Sequence, residues 1–145
     1  MADLRDRELT GKIIAAAIAV HLQLGPGFLE AIYEEALCVE LDFLKIPYER
    51  QKPIAIFYRG RQVGEHVLDL FVAGTVVVEL KAVKALEKIH FSVVRSYMKA
   101  MGVESGLLLN FAEMPLNIKR VARERADTRP VQIDDNSSGN VGAED

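Results

Sequence analysis

Residues 69–81 read DLFVAGTVVVELK, two short apolar runs on either side of an Ala73-Gly74-Thr75 turn signal. The second run ends Glu79-Leu80-Lys81, and Asp69 stands in the first. A strand among apolar neighbours carries such charges only for a reason, because desolvating an unpaired charge costs several kcal/mol or more. Alternate residues of a strand point the same way. Glu79 and Lys81 therefore share one face, and Val76, Val78 and Leu80 the other.

The side of Asp69 depends on the turn. A two-residue loop at Ala73-Gly74 would set Asp69 opposite Val78, on the wrong face. A three-residue loop Val72-Ala73-Gly74 sets it opposite Val77, diagonal to Glu79 and within side-chain reach. That loop wants glycine at its third position, in the left-handed conformation, and Gly74 is there. The turn chemistry favours the register that gathers the charges. Two carboxylates converging on a few ångströms repel unless a proton or cation intervenes. Oxygen ligands of this kind suit Mg²⁺ or Mn²⁺ rather than zinc. A neighbouring lysine can hold a water or stabilise charge on a phosphate. The bland alternative is a salt-bridged trio on a solvated sheet face.

The rest of the chain supplies a scaffold. Residues 8–25 predict a helix with Thr10 as its cap, stopped by Gly25-Pro26-Gly27. Residues 28–45 predict a second, with two adjoining apolar stripes and packing on more than one side. One stripe is Leu29, Ile32, Ala36, Val39 and Phe43, and the other runs from Glu30 and Tyr33 through Leu37. The period then changes to two, predicting strands over 48–58, 61–72 and 75–83. A helix over 87–102, an apolar strand over 105–111 and an edge strand over 116–122 follow. The order α-α-β-β-β-α-β-β implies an α/β fold, a mixed sheet with helices packed over it.

The chain has 145 residues and one cysteine, Cys38, which excludes an internal disulfide framework and a cysteine-based zinc site. No signal peptide or bilayer-length apolar run is visible, and the expected location is cytoplasmic. Residues 127–145 hold five acids and one base, so removing them takes the net charge from −3 to +1. We expect one domain over 1–126 and a disordered acidic tail over 127–145. His21 reads as a satisfied core or subunit-contact histidine, and His90 as a helix-start residue. His66 should face away from Asp69 unless a bulge intervenes. The run IKRVARER, with Lys119, Arg120, Arg123 and Arg125, suits phosphate contact or a solvated terminal face.

Asp69 with Glu79-Leu80-Lys81 resembles the PD-(D/E)XK nuclease signature on its restriction-endonuclease-like αβββαβ core. More narrowly, GFLEAIY (Gly27, Glu30, Tyr33) resembles the motif of the bacterial GxxExxY proteins. AVHLQLGPG, YERQKPI, GEHVLDL, VVVELKAV, SYMKAMG and GLLLNF resemble their blocks, from about residue 8 to 122. By that resemblance Asp69 and Glu79 bind a metal, with the Leu80 carbonyl as a third ligand. Lys81 positions the attacking water, and Glu30 is the acid that the first core helix brings to the site. Without the resemblance, Glu30 reads equally as a first-turn acid complementing the helix dipole. Tyr33 reads as core packing with a hydrogen-bonded hydroxyl. The resemblance implies a Mg²⁺- or Mn²⁺-dependent nuclease acting on DNA or RNA. It departs at Val93, where relatives often carry a glutamine that helps arrange the site. The alternative is therefore a catalytically weak or inactive module that binds nucleic acid or protein. A domain this small would take its specificity from a homo-oligomer or a partner subunit.

Overall fold

The computed structural model describes residues 4–123. The expected tail, residues 127–145, and Arg125 lie outside the described residues. The elements run α1 (Leu4–Leu24), α2 (Glu30–Phe43), β1 (Tyr48–Tyr58), β2 (Arg61–Val72), β3 (Val76–Lys81), α3 (Lys88–Met101), β4 (Ser105–Asn110) and β5 (Asn117–Ala122). The five strands lie in chain order, and β3 and β4 are parallel while every other pair is antiparallel. Helix α3 is the crossover between the parallel strands, which cannot be joined by a tight turn.

Two cores result. Leu70, Val72, Val76, Val78 and Leu80 face α1 and α2, packing with Ile13, Tyr33, Leu37 and Leu41. Leu68, Phe71 and Val77 face α3, packing with Val94, Tyr97 and Met98. Leu68 and Leu70 are two apart on one strand yet enter opposite cores. The alternation is broken between them, at Asp69. On the neighbouring strand the matching residue, Gln51, has a left-handed φ of 51° and lies between the regular pairs Arg50↔Leu70 and Lys52↔Leu68.

The β2–β3 turn keeps the predicted parity with a different register. The pairs are Leu70↔Val78, Phe71↔Val77 and Val72↔Val76, so the loop is Ala73-Gly74-Thr75. Gly74 is left-handed as expected (φ 64°), but so is Ala73 (φ 53°), and the Thr75 amide closes the turn on the Val72 carbonyl at 3.0 Å. Asp69 is therefore level with Glu79 rather than diagonal to it. Helix α1 begins before Thr10, so Thr10 is no cap. It is buried inside the helix, its hydroxyl donating to the Arg7 carbonyl at 3.1 Å. Helix α2 packs on one side only: Tyr33, Glu34, Leu37, Cys38 and Leu41 are buried, while Leu29, Ile32, Val39 and Phe43 are exposed. Among the described residues no helix is long and apolar enough to cross a membrane.

The crossover sets one tight constraint. A Cβ at Gly106 would sit 2.7 Å from Met98 Sδ and 3.0 Å from Val94 Cγ1, so α3 rests directly on the β4 backbone. Gly106→Ala should cost about 1–3 kcal/mol by overpacking. In a Met98→Ala background the same change should cost clearly less, which denaturant unfolding of the four-member cycle measures.

Candidate active site

The β2–β3 ladder stops at Leu70↔Val78, and at the next position side chains take over from backbone. The Asp69 amide donates to Glu79 Oε2 at 2.9 Å, and the Leu80 amide donates to Asp69 Oδ2 at 2.9 Å. Each carboxylate thus accepts from the other residue's strand. The exchange fixes both and pins the Leu80 backbone beside them. A carboxylate on a buried strand needs such donors, since an unsatisfied buried acceptor costs about 1–3 kcal/mol.

Glu79 is only 7% exposed. Burial first, and the charge of Asp69 second, push its carboxyl far above the ordinary carboxylate range. The Asp69 amide and the Lys81 ammonium pull the other way without prevailing. Tyr97 on α3 lies in the same field: burial, then Glu79 and Asp69, push its phenol up to about 12, and its hydroxyl donates to the Val67 carbonyl at 3.0 Å. Lys81 ends β3, half-buried, two residues after Glu79.

Glu30 arrives from α2. Its Oε2 accepts the Ala82 amide at 3.2 Å, one residue beyond Lys81. The GFLEAIY stretch explains how. Gly27 takes φ 118° to turn the chain into α2, and the Tyr33 hydroxyl ties the loop by donating to the Gly25 carbonyl (2.6 Å) and accepting the Phe28 amide (3.1 Å). The Tyr33 ring stacks on Phe111 at 4.6 Å, immediately after β4. Tyr33 is the core residue with a bonded hydroxyl that the sequence suggested, and it seats the helix start that carries Glu30.

Among the described residues no three His, Cys, Asp or Glu side chains form one ready metal-holding group. Asp69 and Glu79 are brought together, and Glu30 stands apart at the Ala82 amide. The donor set fits a hard cation all the same. It offers carboxylate oxygens and the strand carbonyl of Leu80, and Glu79 is too buried to ionise easily without a positive neighbour.

Three supporting groups escaped the sequence reading. Gln51 donates to Asp69 Oδ1 at 3.3 Å and to Glu34 Oε1 at 2.8 Å. Glu34, buried on α2, also receives Arg50 Nε at 2.5 Å. Its signal was its place one helical turn after Glu30, on the buried side. Asn110, fully buried at the end of an apolar strand, accepts the Val83 amide (3.0 Å) and donates to the Val83 carbonyl (2.9 Å), holding the chain just past Lys81.

The histidines divide. His90 starts α3 as expected, in a capping box with Glu87. The break in alternation at Asp69 brings His66 to the α3 side, where its ring meets Tyr97 edge-on at 5.8 Å. His21 is buried beside Phe111, but its Nε2 has no hydrogen-bond partner among the described residues, which leaves the satisfied-core half of the expectation unmet. Val93 is half-buried against the α3 cluster, one turn before Tyr97.

A mixed five-stranded sheet with helices on both faces and an Asp…Glu-x-Lys constellation defines a restriction-endonuclease-like α/β domain. Residues 7–121 match the family model for the PD-(D/E)XK nuclease superfamily, and the chain belongs to that superfamily. Nucleases of this superfamily generally use divalent metal ions. No curated protein and no solved structure matches the chain significantly.

The raised Glu79 carboxyl makes stability depend on pH. Between the ordinary carboxylate pKa and the raised native one, the native state holds a proton that the unfolded chain has released. Stability therefore falls as pH rises through that window and levels off above it. In EDTA, the stability of Glu79→Gln relative to wild type should grow from pH 5 upward by up to about 1.4 kcal/mol per pH unit. Urea unfolding across pH 5–8 measures it. A difference flat in pH would mean an ionised Glu79 stabilised by Lys81.

Proposed function

We propose that this chain hydrolyses phosphodiester bonds of DNA or RNA with a divalent cation, Mg²⁺ or Mn²⁺. Asp69, Glu79 and the Leu80 carbonyl would hold the cation, with Glu30 approaching from α2. The observation that carries this reading is the exchange in which Asp69 and Glu79 each bind the other strand's amide. It locks two carboxylates side by side, two residues from Lys81. The bound cation would supply charge neutralisation and polarisation of the phosphoryl oxygens. Lys81 orients the attacking water and stabilises charge developing on the phosphate. Gln51 and Asn110 act as positioning residues, the first on Asp69 and the second on the chain beyond Lys81.

A second reading rests on Val93. Where a glutamine would aim an amide at the site, the chain has an apolar side chain packed in the α3 cluster. That favours a weak or inactive module that keeps the metal site without turnover. Cleavage of mixed DNA and RNA with Mg²⁺ or Mn²⁺ separates the two. For a working nuclease, Lys81→Ala should lower cleavage at least about a hundredfold, the scale for one lost electrostatic stabiliser. For the inactive module, wild type should match the Lys81→Ala background while the cation still raises the melting temperature. Val93→Gln should then restore cleavage. Activity indifferent to both changes would come from a contaminant and would sink the nuclease reading.

A further inference from the structure

A hollow of about 530 Å³ lies between the start of α1 and the β4–β5 edge, lined by Arg7, Thr10, Glu104, Ser105, Arg120 and Arg123 among others. It is not part of the carboxylate site. Ser105 pairs with Val76 and Asn110 with Lys81, so the hollow sits at the opposite end of the parallel pair. At roughly 3.3 Å per residue that is about 16 Å along the strands. It also opens on the other face. Arg120 pairs with Leu107, which packs in the α1/α2 core, whereas Glu79 shares the face of Val77, which packs against α3.

The charges there are unevenly matched. Arg120 Nη1 donates to the Thr10 hydroxyl at 2.5 Å, a neutral partner. Arg7, one turn before Thr10 on α1, has no ion pair among the described residues. Arg123 lies 3.7 Å from Glu104, beyond a good hydrogen bond. The Ser105 hydroxyl is turned away, donating to Asp6 at 3.1 Å. Among the described residues three guanidiniums, Arg7, Arg120 and Arg123, thus meet two carboxylates, Asp6 and Glu104. Arg7 and Arg120, both solvent-exposed, keep most of their donors for something else. A merely solvated basic face would not need a concavity. This one has a volume within the range of small-molecule sites, about 300–1,000 Å³.

We propose that this hollow binds a phosphate group through Arg7 and Arg120, the ligand being of nucleotide size. A guanidinium fork matches a phosphate's paired oxygens, and two forks on different elements can grip a single tetrahedral group. The phosphate belongs to a free nucleotide or to the end of a nucleic-acid strand. The assignment does not rest on the nuclease reading.

Titration calorimetry on the full chain in EDTA tests it, with pyrophosphate, adenosine 5′-diphosphate, and one oligonucleotide carrying either a 5′-phosphate or a 5′-hydroxyl. Wild type should bind pyrophosphate or the diphosphate saturably. Arg7→Gln and Arg120→Gln should each weaken binding at least about tenfold. Glu79→Gln should leave it unchanged, even if the carboxylate site proves inert. Tighter binding of the 5′-phosphorylated oligonucleotide would assign the pocket to strand ends, and indifference to it to free nucleotides. Should Arg120→Gln fail to fold for want of its bond to Thr10, Arg7→Gln decides alone, since it breaks no ion pair among the described residues. The proposal is overturned by no binding of any probe up to about 1 mM, the weak end of specific affinity. It is overturned equally by binding that the arginine changes leave intact, or by succinate binding as well as pyrophosphate.

Discussion

Glu79 is a carboxylate on a strand whose preceding residues are all buried, and the surrounding architecture follows from giving it a donor. The donor is the amide of Asp69, which becomes available only because the β2–β3 ladder opens at that step. Asp69 in turn takes the Leu80 amide, so both of these amides at the opening have a partner. The same opening reverses the alternation of β2, sending Leu68 to the α3 core and Leu70 to the α1/α2 core. A regular strand would have sent Leu68 and Leu70, two residues apart, into the same core. The charged site and the change of side along β2 are thus one feature of the backbone.

Support for that feature comes from α2. Glu34 gathers Arg50 and Gln51 from β1, and Gln51 passes the contact to Asp69. Gln51 must adopt a left-handed backbone to do so, a conformation that costs a non-glycine residue on the order of 1 kcal/mol or more. The helix start is held separately, through Tyr33 stacked on Phe111 and bonded across the Gly25–Phe28 loop. Phe111 directly follows Asn110, which clasps Val83. Glu30, Lys81 and the chain beyond Lys81 are therefore set by groups in mutual contact. A substitution at any of them would be felt at the others, so their energies should not add.

Much of this was legible in the residues, because face is a local property. Parity alone puts Glu79 with Lys81, and an odd loop at Gly74 puts Asp69 with them. Register is different. It was fixed here by Ala73 adopting a left-handed conformation, which nothing about an alanine announces, and the pairing moved by two residues. The sidedness of α2 is hidden for a related reason. Both of its stripes are apolar, and hydrophobicity does not say which one the chain itself will cover. The residue type of Thr10 suggests a cap, yet its hydroxyl serves Arg120 across a separation of 110 residues, a contact no local pattern encodes.

Electrostatics constrains what the carboxylate end can accept. A phosphodiester brought to Asp69, Glu79 and Glu30 meets three acids and a single ammonium, Lys81. Repulsion at that range, in a partly desolvated setting, works against the approach of any polyanion. Protonation of Glu79 eases this only partly, and it removes the charge that a carboxylate needs to act as a ligand. A divalent cation held by Asp69 and Glu79, as proposed, would change both signs together, favouring the ionised form of Glu79 and making the cluster attractive to phosphate. On the proposed reading, the burial of Glu79 would favour a site that is complete only when a cation is present, whether or not Val93 leaves it able to turn over.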